Sequence, residues 1–298
     1  MNLNKKLLTV KKCPICSKKE FTNQGKAEGI HKDISRLFDL IKCLNCNHCF
    51  LSKMPSNLFL EGLYKKNSEY VIKKGFLVNL PRNYYLRLKT TPNHWIFDFM
   101  KNKKKGNYLE VGPGDCSLLK TFRDNGWKCE GLELIKIFKV KGVHDDIKKI
   151  NKKNKNVLVF HDILEHVADP LSILKKFSKK QSSGDKLFLA YPNASSFKAK
   201  ILKGRWEMIL PLSHLNFFSI DSTKILLDKC GYKVLSIKAH SSVSLKRLIR
   251  SILRLPITLV IDLFNLKISD AFNRFPEIFL NILDIFNGDQ LHVIATKK

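Results

Sequence analysis

Arginine is scarce in this chain of 298 residues: 9 of its 54 basic side chains are Arg and the other 45 are Lys, spread along the whole length. Base-reading and phosphate-clamping surfaces lean on the guanidinium and its fork of donors. The net charge of +28 therefore reads first as a generally basic, solvated surface. A nucleic-acid partner, which lysine charge attracts through counterion release, is the lesser expectation. No run of 18 or more apolar residues is present, which argues against an apolar membrane-spanning helix, and MNLNKKLLTVKK at the start has too short an apolar segment for a secretory signal. The expected location is cytoplasmic. In that reducing compartment the eight cysteines are ligands or core residues and not disulfides.

What is present suffices for a sizeable core: 44% of side chains are apolar and 10% aromatic, enough for one large domain and a small one. Five cysteines fall in the first fifty residues, as CPIC (13–16) and CLNCNHC (43–49). Cys13/Cys16 and Cys43/Cys46 each have the C-x2-C spacing with which one tight turn grips a tetrahedral ion, and two such knuckles make a closed, structural Zn2+ site. Plain buried cysteines or a redox pair are the alternatives, but a redox motif needs one C-x-x-C in a βαβ context. The regular spacing favours Cys46 over His48 or Cys49 as the fourth ligand. A segment this short buries little alone, so the metal would supply much of its folding energy. We assign residues 1–54 to this module and 55–105 to a helical connector, in which NHWIFDFMKNKKKG (93–106) is a helix ending in a lysine run.

From residue 106 to 298 short apolar runs alternate with helical spacings. The runs are YLEVG (108–112), KCEGLEL (128–134), NVLVFHD (156–162), KLFLAYPN (186–193), KVLSIKAH (233–240) and QLHVIATKK (290–298). Helical patterns cover 115–126 and 169–180, the second opening with Asp169 as cap and Pro170 at the first helical position. Alternation of this kind specifies an α/β fold with a mostly parallel, doubly wound, Rossmann-like sheet. A long insertion at about 241–289 reads as two apolar amphipathic helices within 245–286, the first carrying Lys246, Arg247, Arg250 and Arg254. Such a pair suits peripheral contact with the inner membrane surface, a cover over a cleft, or packing on the domain.

The first strand-to-helix turn of such a sheet meets the cofactor. Here it reads LEVGPGDCSLLK (109–120), with Gly112 and Gly114 where the backbone must turn close to a ligand. A dinucleotide fingerprint needs a third glycine, where Ser117 stands. Glu110 and Asp115 beside the loop would repel a diphosphate and suit a cofactor with a cationic centre. Glu133, at the end of the second run, is placed for the two hydroxyls of a ribose.

These residues resemble the class I S-adenosylmethionine-dependent methyltransferases, in the branch related to the ubiquinone-biosynthesis O-methyltransferases. LEVGPGDCSLL is similar to their first motif, GLEL to the acidic end of the second strand, FHDILEHVADP (160–170) to the signature after the fourth and YPN (191–193) to the end of the fifth. RWEMILPLSHLNFFS (205–219) resembles their W-x-n-P-x-x-H-L-x-x-F-S segment. The cysteine pairs followed by Pro55, Leu63 and Tyr64 resemble the zinc-binding leader of methyltransferases associated with surface-polysaccharide modification. Cys116 departs from the family's third glycine.

The resemblance implies that Gly112 and Gly114 pass the methionine part of S-adenosylmethionine, Glu110 faces its ammonium, Glu133 takes the ribose, and His161 and Asp162 line the pocket near the methyl group. The stretch after Glu133 is short for the usual helix, which leaves Asp145 or Asp146 for adenine, and Asp146 is taken. His214 is the expected general base for a hydroxyl acceptor, with a hydrogen-bonded structural role as its alternative, and His166 leans structural. The implied function is methyl transfer to a small molecule or a glycan such as a surface-polysaccharide sugar. The rivals are a ribosomal RNA methyltransferase and a non-catalytic binding protein of the same fold.

Overall fold

The computed structural model describes residues 7–28, 37–56, 59–60, 91, 94–133, 140–241, 282 and 287–298. Most of the expected connector and the helices expected within 245–286 lie outside the described residues. Among those described, no helix is long and apolar enough to cross a membrane.

Five short strands come first: β1 (Leu7–Thr9), β2 (Phe21–Lys26), β3 (Asp39–Cys43), β4 (Cys49–Leu51) and β5 (Lys53–Pro55). Helix α1 (Trp95–Met100) follows, with His94 as its N-cap, its Nδ1 accepting from the Ile96 amide. Then β6 (Asn107–Val111), α2 (Ser117–Asp124), β7 (Lys128–Leu132), β8 (Val143–His144) and β9 (Val157–His161) alternate. Next come α3 (Pro170–Ser178), β10 (Lys186–Pro192), α4 (Phe197–Leu202), β11 (Asn216–Phe217), α5 (Ile220–Lys229), β12 (Tyr232–His240) and β13 (Gln290–Lys297).

Seven strands form the main sheet in the order β12-β13-β10-β9-β6-β7-β8. The five from β10 to β8 run parallel, and β13 lies antiparallel between β10 and β12. This is the expected α/β, mostly parallel architecture. Alternate residues of each buried strand supply two cores. Tyr108, Val157 and Val159 meet α1 and α2 on one face, while Leu109, Leu158 and Phe160 join α3 and α5 on the other.

The second core runs on without a break into Cys13, Ile15, Leu40 and Phe50 of the cysteine-bearing segment. That segment forms three strands of a four-stranded sheet in the order β11-β4-β3-β2, in which one of the two edge strands, β11, comes from residues 216–217. Cysteine clustering alone does not anticipate this shared sheet. Its reason is burial: a short segment has too little apolar surface to close a core by itself.

Candidate functional site

In an open parallel sheet, ligands lie beyond the carboxyl ends of the strands where the chain order reverses. That point is between β6 and β9, since β6 has β7 on one side and β9 on the other. The Gly112 loop leaves β6 there and His161 ends β9 beside it.

Gly112 has φ +69°, and a Cβ on it would lie 2.0 Å from Ile163 Cδ1. Both the conformation and the close approach require glycine. Gly114 has φ +50° with open space around its missing Cβ. Cys116, at the family's third glycine position, also sits in the left-handed region, φ 59° and ψ 16°, as the residue before α2. That conformation explains why glycine is usual there. Cysteine bears the strain with its Sγ directed to Gly114 O at 3.8 Å. Asp115 is engaged locally, its carboxylate accepting from the Ser117 amide at 2.9 Å.

Glu110 is 4% exposed. Tyr108, two residues earlier on the same strand face, donates its hydroxyl to Glu110 Oε2 at 2.8 Å. Burial raises the Glu110 pKa to about 7 in spite of that bond. Glu133 follows β7 directly, its amide donating to His144 O at 2.8 Å. Asp145 and Asp146 follow β8, the next strand out; Asp145 pairs with Lys149 at 2.8 Å, and Asp146 caps residues 147–149 by accepting from the Lys148 amide.

His161 Nδ1 lies 3.2 Å from Asp162 Oδ2. Burial alone would lower the His161 pKa, but the bond to Asp162 and the charges of Asp162 and Glu110 more than offset it, so the value is raised. Asp162 has φ 53°, and its other oxygen, Oδ1, is buried with no hydrogen-bond partner. The fold adds three aromatic residues that the sequence reading left aside. The His94 ring lies 5.4 Å from that of His161, and Trp95 stacks on His292 at 4.4 Å with the planes 11° apart. His292 and His161 flank Ala190 in one cross-strand row. His94 and Trp95 open α1 and His292 is the third residue of β13, a weak signal in the sequence.

His214 lies near enough to Asp162 for the titrations of the two to influence each other. It lies beside His166 and Glu165, and their ligand atoms are all within 4.8 Å of one another. Glu165 is 1% exposed, its Oε2 lacks a hydrogen-bond partner, and burial drives its pKa well up.

The four sulfurs of Cys13, Cys16, Cys43 and Cys46 also lie within 4.8 Å of one another. Cys13–Cys46 and Cys16–Cys43 are separated by 3.5 and 3.4 Å. A tetrahedron with Zn–S of about 2.3 Å has edges of about 3.8 Å, so the four fit one ion. Cys49 is outside this cluster, and His48 points elsewhere, donating its Nε2 hydrogen to Asn216 Oδ1 at 2.9 Å.

A family model described as a methyltransferase domain matches residues 86–237, just over half of the chain. The chain belongs to the methyltransferase-domain family. Its fold is similar to that of an S-adenosylmethionine-dependent methyltransferase from Archaeoglobus fulgidus, with 15% identity, TM-score 0.45, and coverage of 80% of this chain and 98% of that one. One from Mesorhizobium loti shares 12% identity at TM-score 0.46, with coverage of 68% and 97%. The plantazolicin methyltransferase BpumL, solved with S-adenosylhomocysteine (SAH), shares 13% at 0.44, with coverage of 80% and 94%. No curated protein matches the chain.

Proposed function

We propose that the protein moves a methyl group from S-adenosylmethionine to a small molecule or glycan such as a surface-polysaccharide sugar. The carrying observation is the buried Glu110 carboxylate at the sheet's reversal point, beside two left-handed glycines and an Asp162 oxygen without a partner. These residues fit the cofactor. A cationic ammonium offsets the burial cost of Glu110, and the open space at Gly114 admits a ligand against the backbone.

When bound, S-adenosylmethionine supplies a methyl on an already activated sulfonium, so the protein has mainly to align and to move a proton. Glu110 holds the ammonium, Glu133 the ribose hydroxyls, and Asp146 the adenine edge. Gly112 and Gly114 leave room for the methionine part. His161 and Asp162 line the pocket near the transferred group. His214 accepts the acceptor's proton at Nε2. Residues 1–54 form a structural zinc module on Cys13, Cys16, Cys43 and Cys46. Residues 55–105 connect it to the methyltransferase domain at 106–298, in the ubiquinone-type O-methyltransferase branch, where 245–286 makes peripheral membrane contact.

Calorimetric titration with S-adenosylmethionine tests the core of this reading: wild type binds, and Glu133→Ala binds at least tenfold more weakly. Absence of binding, or unchanged binding in the variant, sinks it. Methylation of RNA with steeply salt-dependent affinity removes the glycan assignment.

A further inference from the structure

Away from the Glu110–Asp162 site, a cavity of about 250 Å³ lies between the four-stranded sheet and the chain that follows β10. It is lined by Lys42 of β3, Lys200 of α4, Lys203 just beyond it, Asn47, Trp206 and Asp221, among others.

Trp206 belongs to the RWEMILPLSHLNFFS segment, and methyl transfer assigns it no role. Its side chain is 1% exposed, yet its indole N–H is buried with no acceptor. Trp206 therefore gives the cavity an aromatic wall, with its N–H sealed away from it.

The charge of the lining points to an anion. The nearby Lys198 is paired with Glu207, whereas Lys42, Lys200 and Lys203 have no carboxylate within ion-pair distance among the described residues. The one lining acid, Asp221, already accepts from Asn47 Nδ2 at 2.9 Å.

The wall is built rigidly. Lys203 has φ 50° and ψ −122°, a conformation costly for any residue but glycine. It is held there by Gly204, whose carbonyl accepts from the Glu28 amide at 2.9 Å. A Cβ on Gly204 would lie 2.0 Å from Lys26 O, so the turn and β2 are locked at backbone contact.

We propose that this cavity binds a phosphate-bearing ligand of about hexose-monophosphate size. The phosphoryl oxygens meet Lys42, Lys200 and Lys203, and the Trp206 ring forms an apolar wall against the rest of the ligand. A phosphate dianion offers several acceptor oxygens to ammonium groups. The cavity has the volume of roughly eight waters, which leaves room beyond the phosphate for a sugar-sized body. None of the proposed cofactor ligands lines the cavity, so the inference stands apart from methyl transfer.

The test is a titration of the full chain with glucose 1-phosphate, followed by calorimetry and by tryptophan fluorescence, with inorganic phosphate and glucose in parallel. The sugar phosphate is expected to bind saturably and at least tenfold more tightly than either comparator. Lys42→Ala and Lys203→Gly each weaken it about tenfold. S-adenosylmethionine affinity stays unchanged in the two lysine variants. Lys203→Gly also relieves the backbone strain, so the variant is expected to fold at least as well as wild type while losing the ligand. No saturable binding, equal affinity for inorganic phosphate, or binding indifferent to both lysine substitutions overturns the proposal.

Discussion

The rings of His166 and His214 meet edge to face with centroids 4.7 Å apart, and each gives its Nδ1 hydrogen to a backbone carbonyl. His166 donates to Ser213 O at 2.8 Å and His214 to Met208 O at 2.7 Å. A carbonyl only accepts, so both rings are held in the Nδ1–H tautomer, which leaves the lone pair on Nε2. Burial lowers both pKa values, that of His214 to about 3, and both rings stay neutral across the physiological range.

His214→Gln is therefore expected to lower kcat for methyl transfer on the order of 10²-fold while leaving S-adenosylmethionine affinity unchanged. Steady-state kinetics beside calorimetry checks this. A parallel loss of cofactor binding would show that His214 supports the fold instead.

Cofactor affinity should depend on pH through Glu110. Its pKa is raised by burial from 4.5 to about 7, and an ammonium pairs with the carboxylate form. S-adenosylmethionine should bind more tightly as pH rises to 7 and level off above it, with Kd changing by up to about tenfold per unit below that point. In the free protein the sign for stability is opposite. The folded state holds a proton more firmly than the unfolded chain, so this contribution is full below pH 4.5 and lost as pH rises through 7. Glu110→Gln should flatten both slopes.

Acid stability should follow the histidines. Burial lowers His94 and His292 from 6.5 to about 4 and His214 to about 3. The unfolded chain takes up these protons first, so their contribution is intact above pH 6.5 and lost as pH falls toward 3. His161, raised by Asp162 and Glu110 against burial, and the buried carboxyls Glu110 and Glu165, raised by burial, work in the other direction, so the histidine share is isolated by substitution. Urea midpoints at pH 7.5 and 5.5 should fall less for His94→Gln than for wild type as pH is lowered; an equal fall would refute the assignment.

Loss of the proposed zinc should reach beyond the cysteine segment. One zinc per chain is expected, and Cys13→Ser or Cys46→Ser should lower the melting temperature on the order of 10 °C. Because β11 pairs with β4 only two residues after His214, chelation should also reduce methyl transfer. Cys49→Ser, outside the sulfur cluster, should keep the zinc.

Gly112→Ala meets two obstacles, φ +69° and Ile163 Cδ1 at 2.0 Å. A loss of about 1–3 kcal/mol is expected, with cofactor binding abolished. Adding Ile163→Ala should recover part of the stability by removing the clash, while the backbone strain remains. Thermal denaturation of the single and double variants separates the two terms.

Much of this was legible from local pattern. The six apolar runs became β6, β7, β9, β10, β12 and β13 with ends within a residue or two, because central strands buried on both faces, such as β6, β9 and β10, read as short continuous apolar runs. Asp169 and Pro170 marked the start of α3, and the Asp169 side chain does cap it. The two-residue strands β8 and β11 were not legible, being too short to carry a period. Nor did the sequence announce the Tyr108 hydroxyl on Glu110 or the left-handed turn at Cys116.

By itself, then, the sequence determined the order of elements, the glycine turn and the doubled cysteine spacing, since each is written within a few consecutive residues. Only the tertiary structure decided that residues 216–217 complete the cysteine-bearing sheet, that His94, Trp95, His161 and His292 meet at one end of the main sheet, and that Trp206 shares a cavity with three lysines. Those contacts join residues far apart in the chain. Their partners are chosen by which apolar faces must be buried together, and no local period encodes that choice.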